Sequence, residues 1–333
     1  MKKRVGFIGC GQWGPNQIRT FFFHPDVEVV RICDTDQTRL DAMRSQFTHL
    51  QITTDSKDIT QADDIDAVIV TTPVSTHHAI AKDALINGKD VLCEKPLTMT
   101  SAESLDLIQV AKEHNCILMV GHVFLFNAGI VKLKEMIDKS ELGKNYYFHA
   151  KRTNLGPVRN DVNAVYDLAS HDISIFNYFM NSTPKVVGAV GKAYLRADIE
   201  DVAFISLEYP GGVLAHIHVS WLDPKKIREI TVVGDKKMAT WDDLSPNGSV
   251  EIYTKHIEKD PYYKDFGEFN LLAKDGEIVI PNIKNVEPLK AQTNHFIECI
   301  RERKAPLADG QNGLDVVRTL EEIDQHLKAY VTK

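Results

Sequence analysis

Apolar and polar positions follow two rhythms along this chain, and the change of rhythm divides it. Before Val123, short, mainly apolar runs alternate with longer segments of helical period. Val5–Gly9, Val27–Cys33 (VEVVRIC), Ala67–Thr71 (AVIVT), Val91–Cys93 and Ile117–Val120 read as strands. Val5–Gly9 and Ala67–Thr71, short runs without charge or alternation, read as strands covered on both faces. Trp13–His24, Arg39–Phe47, His77–Asn87 and Ser101–Asn115 read as the helices between them. Pro15 falls in the first turn of the first helix, where a missing N–H costs little. Gly88 stops the third, and Ser101 is expected to cap the fourth, with Ser104 close behind. Such alternation implies βαβ units and a parallel sheet.

After Val123 the period changes. Ile130–Asp138 and Asp172–Met180 read as helices, with a strand at Tyr146–Ala150 between them. Val186–Tyr194, Val202–Tyr209, Val213–Trp221, Ile227–Val233 and Met238–Trp241 then alternate as half-buried strands do. Pro210-Gly211-Gly212 and Gly234-Asp235 supply turns. From Pro288 onward the pattern is helical again. Two domains are expected: an α/β domain over residues 1–122 and an α+β domain over 123–333, the latter with a largely antiparallel, open-faced sheet.

Composition narrows the function classes. The 333 residues carry a net charge of −7, with 43% hydrophobic and 26% charged residues. An acidic chain of this kind argues against broad nucleic-acid binding, which needs concentrated Lys and Arg. No apolar run approaches the ~18 residues of a membrane span, and the apolar run after Met1-Lys2-Lys3-Arg4 is too short for a signal peptide. Cys10, Cys33, Cys93, Cys116 and Cys299 are dispersed, as reduced thiols of a cytoplasmic protein are. His216 and His218 alternate on one strand and share a face, but no third ligand accompanies them, so no metal site is expected.

The chemistry begins at Gly9-Cys10-Gly11-Gln12-Trp13-Gly14, a G-x-G-x-x-G that follows a strand and opens a helix. This is the context a dinucleotide (Rossmann) fingerprint requires. Gly9 permits the tight turn, Gly11 lets backbone approach a pyrophosphate, and Gly14 lets helix and strand pack closely. The helix N-terminus offers free N–H groups to the phosphates. Asp34, 20 residues beyond Gly14, follows the second strand, where a carboxylate bonds a ribose 2′-hydroxyl and repels a 2′-phosphate. NAD is therefore favoured over NADP; Arg39 is the nearest cation that follows. Ligands of such folds lie outside the carboxyl ends of the strands. Thr72-Pro73-Val74-Ser75-Thr76-His77, Glu94-Lys95-Pro96 and Gly121-His122 all lie there.

The strings GCGQWGPN, TTPVSTHHAIAKDALINGKDVLCEKPLT and YDLASHDI resemble the glucose-fructose oxidoreductase / inositol dehydrogenase / MocA family, over nearly the whole chain. The resemblance implies a two-domain NAD-dependent dehydrogenase acting on sugar CH–OH groups, a homo-oligomer (dimer or tetramer) through the open sheet. It places Gly9, Gly11, Gln12, Trp13, Gly14, Asp34, Thr72, Pro73, His77, Glu94 and Lys95 around the cofactor. It also implies that the lysine of E-K-P, Lys95, hydrogen-bonds the reacting hydroxyl, often beside a cis peptide at the proline. The D-x-x-x-H pair, Asp167 and His171, is implied on the substrate side. The residue types agree. Positions i and i+4 share one helical face. Histidine titrates near neutrality and suits proton acceptance as hydride leaves. A lysine cation stabilises a developing alkoxide. One departure stands out: where relatives carry R-F/Y-x-P, this chain has Leu125-Phe126-Asn127-Ala128, without the arginine and the proline.

Lys151, Arg152 and Arg159 cluster in sequence just before Asp167, with Asn154, Asn160 and Asn163 interleaved. Arginine forks match a pyrophosphate. The string RTNLGPVRNDVNAVYDLASHD resembles the branch of the family found in surface-polysaccharide and lipopolysaccharide pathways, which oxidises UDP-N-acetylhexosamines at C3. A nucleotide-sugar substrate is therefore expected, with C3 of UDP-N-acetylglucosamine or a close relative as the carbon oxidised. Lys95, Arg152, Asn154, Arg159, Asn163, Tyr166, Asp167 and His171 are expected to contact it. A free polyol or inositol dehydrogenase is the alternative, and a non-catalytic NAD-binding regulatory protein the next.

Overall fold

The structure is a computed structural model that describes residues 2–245, 250–259, 271–284 and 286–331. In chain order the first elements are β1 (Lys3–Ile8), α1 (Gly14–Phe22), β2 (Val27–Cys33), α2 (Gln37–Gln46), β3 (Gln51–Thr53), α3 (Lys57–Thr60), β4 (Ala67–Val70), α4 (His77–Ile86), β5 (Asp90–Cys93), α5 (Ser101–Glu113) and β6 (Leu118–Val120). Then come α6 (Ala128–Asp138), β7 (Asn145–Leu155), a π-helical turn at Val165–Ala169, α7 (Ser170–Met180), β8 (Lys185–Lys192), β9 (Val202–Tyr209), β10 (Val213–Ser220), β11 (Leu222–Gly234) and β12 (Met238–Asp242). The short strands β13 (Val250–Tyr253), β14 (His256–Lys259), β15 (Leu271–Lys274) and β16 (Ile278–Val279) precede α8 (Pro288–Glu302) and α9 (Gly310–Val331).

The residues group into two compact units, Met1–Phe126 with Val286–Glu321, and Asn127–Asn285 with Glu322–Lys333. Helix α8 lies after the 122/123 division, yet it packs with the first unit. Phe296 of α8 meets Phe21 of α1 edge to face, with ring centroids 6.3 Å apart, and Phe21 meets Phe7 of β1 at 5.4 Å.

The first unit holds a parallel six-stranded sheet in the order β3-β2-β1-β4-β5-β6. All four residues of β4 (AVIV) and of β5 (DVLC) are buried. Strand order reverses between β1 and β4, the switch point where doubly wound sheets bind ligands. Ser101 does not cap α5. Thr100 does: its hydroxyl accepts from the Glu103 N–H at 3.3 Å while the Glu103 carboxylate accepts from the Thr100 N–H at 3.1 Å, a reciprocal capping box. The Ser101 N–H is instead bound by Glu321 at 2.9 Å.

The second unit holds an eight-stranded sheet in the order β16-β13-β12-β11-β7-β10-β9-β8, antiparallel except where β7 runs parallel to β10. Strand β7 is central and continues to Leu155, beyond the expected Ala150, because β10 and β11 pair with it through the charged residues Lys151 and Arg152. One face is covered by helix: Phe148 of β7 lies 5.3 Å and 5.9 Å from Phe176 and Phe179 of α7, ring centre to ring centre. On the other face His149 stacks on His216 at 5.7 Å, and Phe204 on His218 at 4.4 Å. Among the described residues no group of three or more His, Cys, Asp or Glu could hold a metal ion, and no helix is long and apolar enough to cross a membrane.

The cap assignment is checked by substitution. Thr100→Ala is expected to lower stability by about 1 kcal/mol and Ser101→Ala by less than about 0.5 kcal/mol in urea unfolding. Equal losses would remove the capping box as a stabilising element.

Candidate active site

The turn between β1 and α1 is shaped by crowding. Gly9 has φ +106°, and a Cβ there would lie 2.7 Å from the carbonyl of Thr71 and 2.8 Å from the Thr72 nitrogen. A Cβ at Gly14 would lie 2.3 Å from the Gly9 oxygen. The Thr71 hydroxyl donates to that same oxygen at 2.6 Å. Gly11 differs: its Cβ would meet only the Arg39 guanidinium, at 3.8 Å. Its outer surface is open for a pyrophosphate to approach the backbone, above the N-terminus of α1 with Pro15 in the first turn. Asp34 is buried, and its carboxylate accepts from the Cys10 N–H at 2.6 Å and the Asp36 N–H at 2.9 Å. Arg39 stands 3.7 Å from Asp34 and 3.4 Å from Asp36. These residues fit a dinucleotide. Gln12 and Trp13 are exposed at the turn's rim.

The ends of β4, β5 and β6 are tied together. His77 is buried between two carbonyl oxygens, Nδ1 3.0 Å from that of Pro96 and Nε2 2.9 Å from that of Thr72. It thus binds the Thr72-Pro73 loop to the E-K-P loop, whose Lys95–Pro96 peptide is cis. Gln17 of α1 donates to Glu94 at 2.8 Å, and Trp13 adds a further side-chain bond. Desolvation nevertheless pushes the Glu94 carboxyl up. His122, at a strand end but with no role expected of it, is fully buried just past β6, and neither ring nitrogen has a hydrogen-bond partner among the described residues. Burial first, then the Lys95 cation, pulls its pKa down to about 3. Its place at the strand end is legible in the sequence; its complete burial is not.

In the second unit Asp167 sits in the π-helical turn, and His171 follows it at the start of α7. The regular α-helical face expected for this pair is therefore broken between its members; π-turns of this kind occur often at functional sites. Arg159 donates to one oxygen of Asp167 at 3.2 Å and to Asp161 at 2.6 and 2.9 Å. The Trp221 indole N–H donates to the other Asp167 oxygen at 3.1 Å. Trp221, buried at the bend between β10 and β11, thus uses its polar edge here.

The expected cationic cluster does not form as written. Lys151 and Arg152 are consecutive on β7 and so point to opposite faces. Lys151 pairs with Asp223 at 3.3 Å. Arg152 is buried on the helix-covered face and grips Asp172 of α7 with Nε at 3.0 Å and Nη2 at 2.8 Å, which gives it a place in the packing and not at a substrate surface. Asn154 donates to the Gly156 carbonyl. Asn163 donates to Glu200 at 2.8 Å and accepts from the Tyr166 N–H at 3.1 Å. Tyr166 is buried and bonds Asp324. Arg196, absent from the sequence reading, joins Arg159: its guanidinium donates to the Arg159 carbonyl and to Asn160. The two are 37 residues apart, and no local pattern links them.

A dinucleotide cradle at the switch point of one unit, followed by an α+β unit, defines an NAD-binding oxidoreductase. The chain belongs to the glucose-fructose oxidoreductase / inositol dehydrogenase / MocA family: the model for the oxidoreductase family NAD-binding Rossmann fold matches residues 3–122, and that for the GFO/IDH/MocA C-terminal domain matches residues 130–240. Among similar sequences is inositol 2-dehydrogenase 2 of Saccharopolyspora erythraea, 26% identical over 66% of this chain and 67% of that one. Among similar folds is UDP-N-acetylglucosamine 3-dehydrogenase GnnA of Acidithiobacillus ferrooxidans, with TM-score 0.81 and 22% identity over 100% of both chains. The WlbA dehydrogenase of Bordetella pertussis, solved with NADH and UDP-GlcNAcA, has TM-score 0.82 and 20% identity over 98% of this chain and 96% of that one.

Two measurements follow from this geometry. Gly11→Val is expected to weaken NAD binding at least about tenfold in calorimetric titration while shifting stability by less than about 0.5 kcal/mol, because its Cβ meets only the far end of the Arg39 side chain. Unchanged affinity would move the pyrophosphate elsewhere. For His122, the unfolded chain takes up a proton below its ordinary pKa of 6.5, while the folded chain refuses it until about 3. The wild type therefore loses stability as pH falls through that window and keeps it above. At pH about 5 the loss from this group is about 2 kcal/mol, and His122→Phe should be spared it in urea unfolding. Parallel pH curves for the two proteins would contradict the neutral buried imidazole.

Proposed function

We propose that the chain oxidises one hydroxyl of a nucleotide-activated sugar to a ketone, at C3 of UDP-N-acetylglucosamine or a close relative, in the cytoplasmic synthesis of surface-polysaccharide precursors. The observation that carries this reading is the pairing of Arg196 with Arg159 beside Asp167, in a chain of net charge −7. Arg196 is held by neutral oxygen acceptors, which leaves its fixed charge for an anion; a guanidinium fork suits the oxygens of a pyrophosphate. Arg196 stands beside Arg159 in the role expected of Arg152.

The proposed roles divide by unit. Gly9, Gly11, Gly14 and Asp34 hold the dinucleotide, which supplies the hydride acceptor when bound. Lys95 donates to the reacting oxygen and stabilises its negative charge as the proton leaves. His171 accepts that proton, and Asp167 orients it or the sugar. The open face of the eight-stranded sheet, where Tyr147, Val190, Phe204 and Leu214 are exposed, suits coverage by a second copy of the chain.

The test is a panel of UDP- and dTDP-hexoses, with myo-inositol beside them, incubated with NAD and followed by NADH absorbance and mass analysis of the sugar. Turnover is expected with a UDP-N-acetylhexosamine, and Lys95→Ala should abolish it. Arg196→Gln should raise KM for the nucleotide sugar about tenfold with little change in kcat, the loss of one charge-assisted contact. Oxidation of inositol alone, unaffected by Arg196→Gln, would replace the proposal with the polyol reading. NAD binding with no turnover on any member would favour a regulatory protein.

A further inference from the structure

Trp221 is anchored more firmly than packing alone would demand. Its side chain is completely buried at the end of β10. Its N–H donates to the Asp201 carbonyl at 2.9 Å, and its own carbonyl accepts from Gly156 at 3.0 Å. Asp201 is buried in turn, and its carboxylate accepts from the N–H groups of Tyr194 and Leu195 at 2.6 and 2.8 Å. The backbone of Trp221 is thus fixed on both sides, and its indole is enclosed. A buried indole N–H needs an acceptor, and any nearby carbonyl would satisfy it. Here the acceptor is a carboxylate oxygen of Asp167, at 3.1 Å.

Asp167 does not need that bond for its own solvation, because its side chain is 17% exposed and water can reach it. What the bond changes is orientation. The indole and the Arg159 guanidinium are donors without acceptor capacity, one on each oxygen. Together they fix the plane of the carboxylate, in a turn already anchored by Asn163, whose carbonyl accepts from the Asp167 N–H at 3.1 Å. We propose that Trp221 is a positioning residue, acting through Asp167 to hold its carboxylate in the orientation the hydride-transfer reaction uses. This rests on the role given to Asp167 above. A carboxylate free to rotate would still be present but misaligned, and misalignment slows turnover without loosening substrate.

The experiment is a double-mutant cycle on the full-length protein with the sugar found by the panel. Trp221→Phe is expected to lower kcat about tenfold with KM for sugar and NAD within about twofold. Asp167→Asn should lower kcat at least as much, and the double variant no further than the worse single one. Additive losses, or a loss confined to KM, would make Trp221 a packing residue and overturn the proposal. Wild-type turnover of Asp167→Asn would instead overturn the role of Asp167 itself, a failure visible without Trp221. Should Trp221→Phe not fold, the indole N–H resonance of Trp221 in 15N–1H spectra serves in its place. It is expected to shift in Asp167→Asn, and an unmoved resonance denies the bond.

Discussion

No side chain fits between the turn after β1 and the end of β4, and the first unit is arranged around that fact. Gly9 and Gly14 close the turn against Thr71 and against each other. Because α1 can then start directly above the strand ends, its free N–H groups face the switch point. The same approach brings Gln17 on α1 within 2.8 Å of Glu94, the residue that opens the E-K-P loop. His77 pins that loop to the one after β4. Lys95 thus inherits its position from backbone crowding some eighty residues earlier in the chain.

The second unit obeys a different constraint, the two-residue period of a strand. Strand β7 lies in the middle of its sheet, so each of its side chains must choose the helix-covered face or the open one. Arg152 falls with Phe148 and Ala150 on the covered face, where a guanidinium is tolerable only against a carboxylate, and Asp172 supplies it. Lys151 falls with His149 on the open face. Charges adjacent in sequence are therefore separated by the sheet, while Arg159 and Arg196, remote in sequence, meet in the loops beyond the strands.

This contrast explains what was legible in the residues alone. The G-x-G-x-x-G turn, Asp34, the E-K-P loop and the strand–helix alternation are local signals, each carried within a few positions, and the structure shows them where the spacing puts them. β3 and α3, with three and four residues, are too short to display a period. Thr100 and Ser101 are both good caps, and only the reach of Glu103 decides between them. The bonds of Trp221 to Asp167 and of Arg196 to Arg159 depend on the register of strands and on loop closure over 54 and 37 residues. No periodicity encodes such pairings. The expected cationic cluster fails for a related reason: Lys151 and Arg152 are neighbours in sequence, on a strand where neighbours diverge.

The same reasoning bears on which group takes the proton. Two histidines lie at the strand ends of the first unit, where a nicotinamide belongs. His77 has both ring nitrogens against carbonyl oxygens and serves the loops. His122 lies in the field of Lys95, and burial and that cation both oppose its protonation, so it stays neutral across the range in which enzymes work. A lysine placed to stabilise negative charge on oxygen disfavours an imidazolium beside it, and the better it performs the first task, the less suitable that neighbour is as a base. In the proposed mechanism the proton goes instead to His171, which follows the π-helical turn of Asp167 and retains contact with solvent.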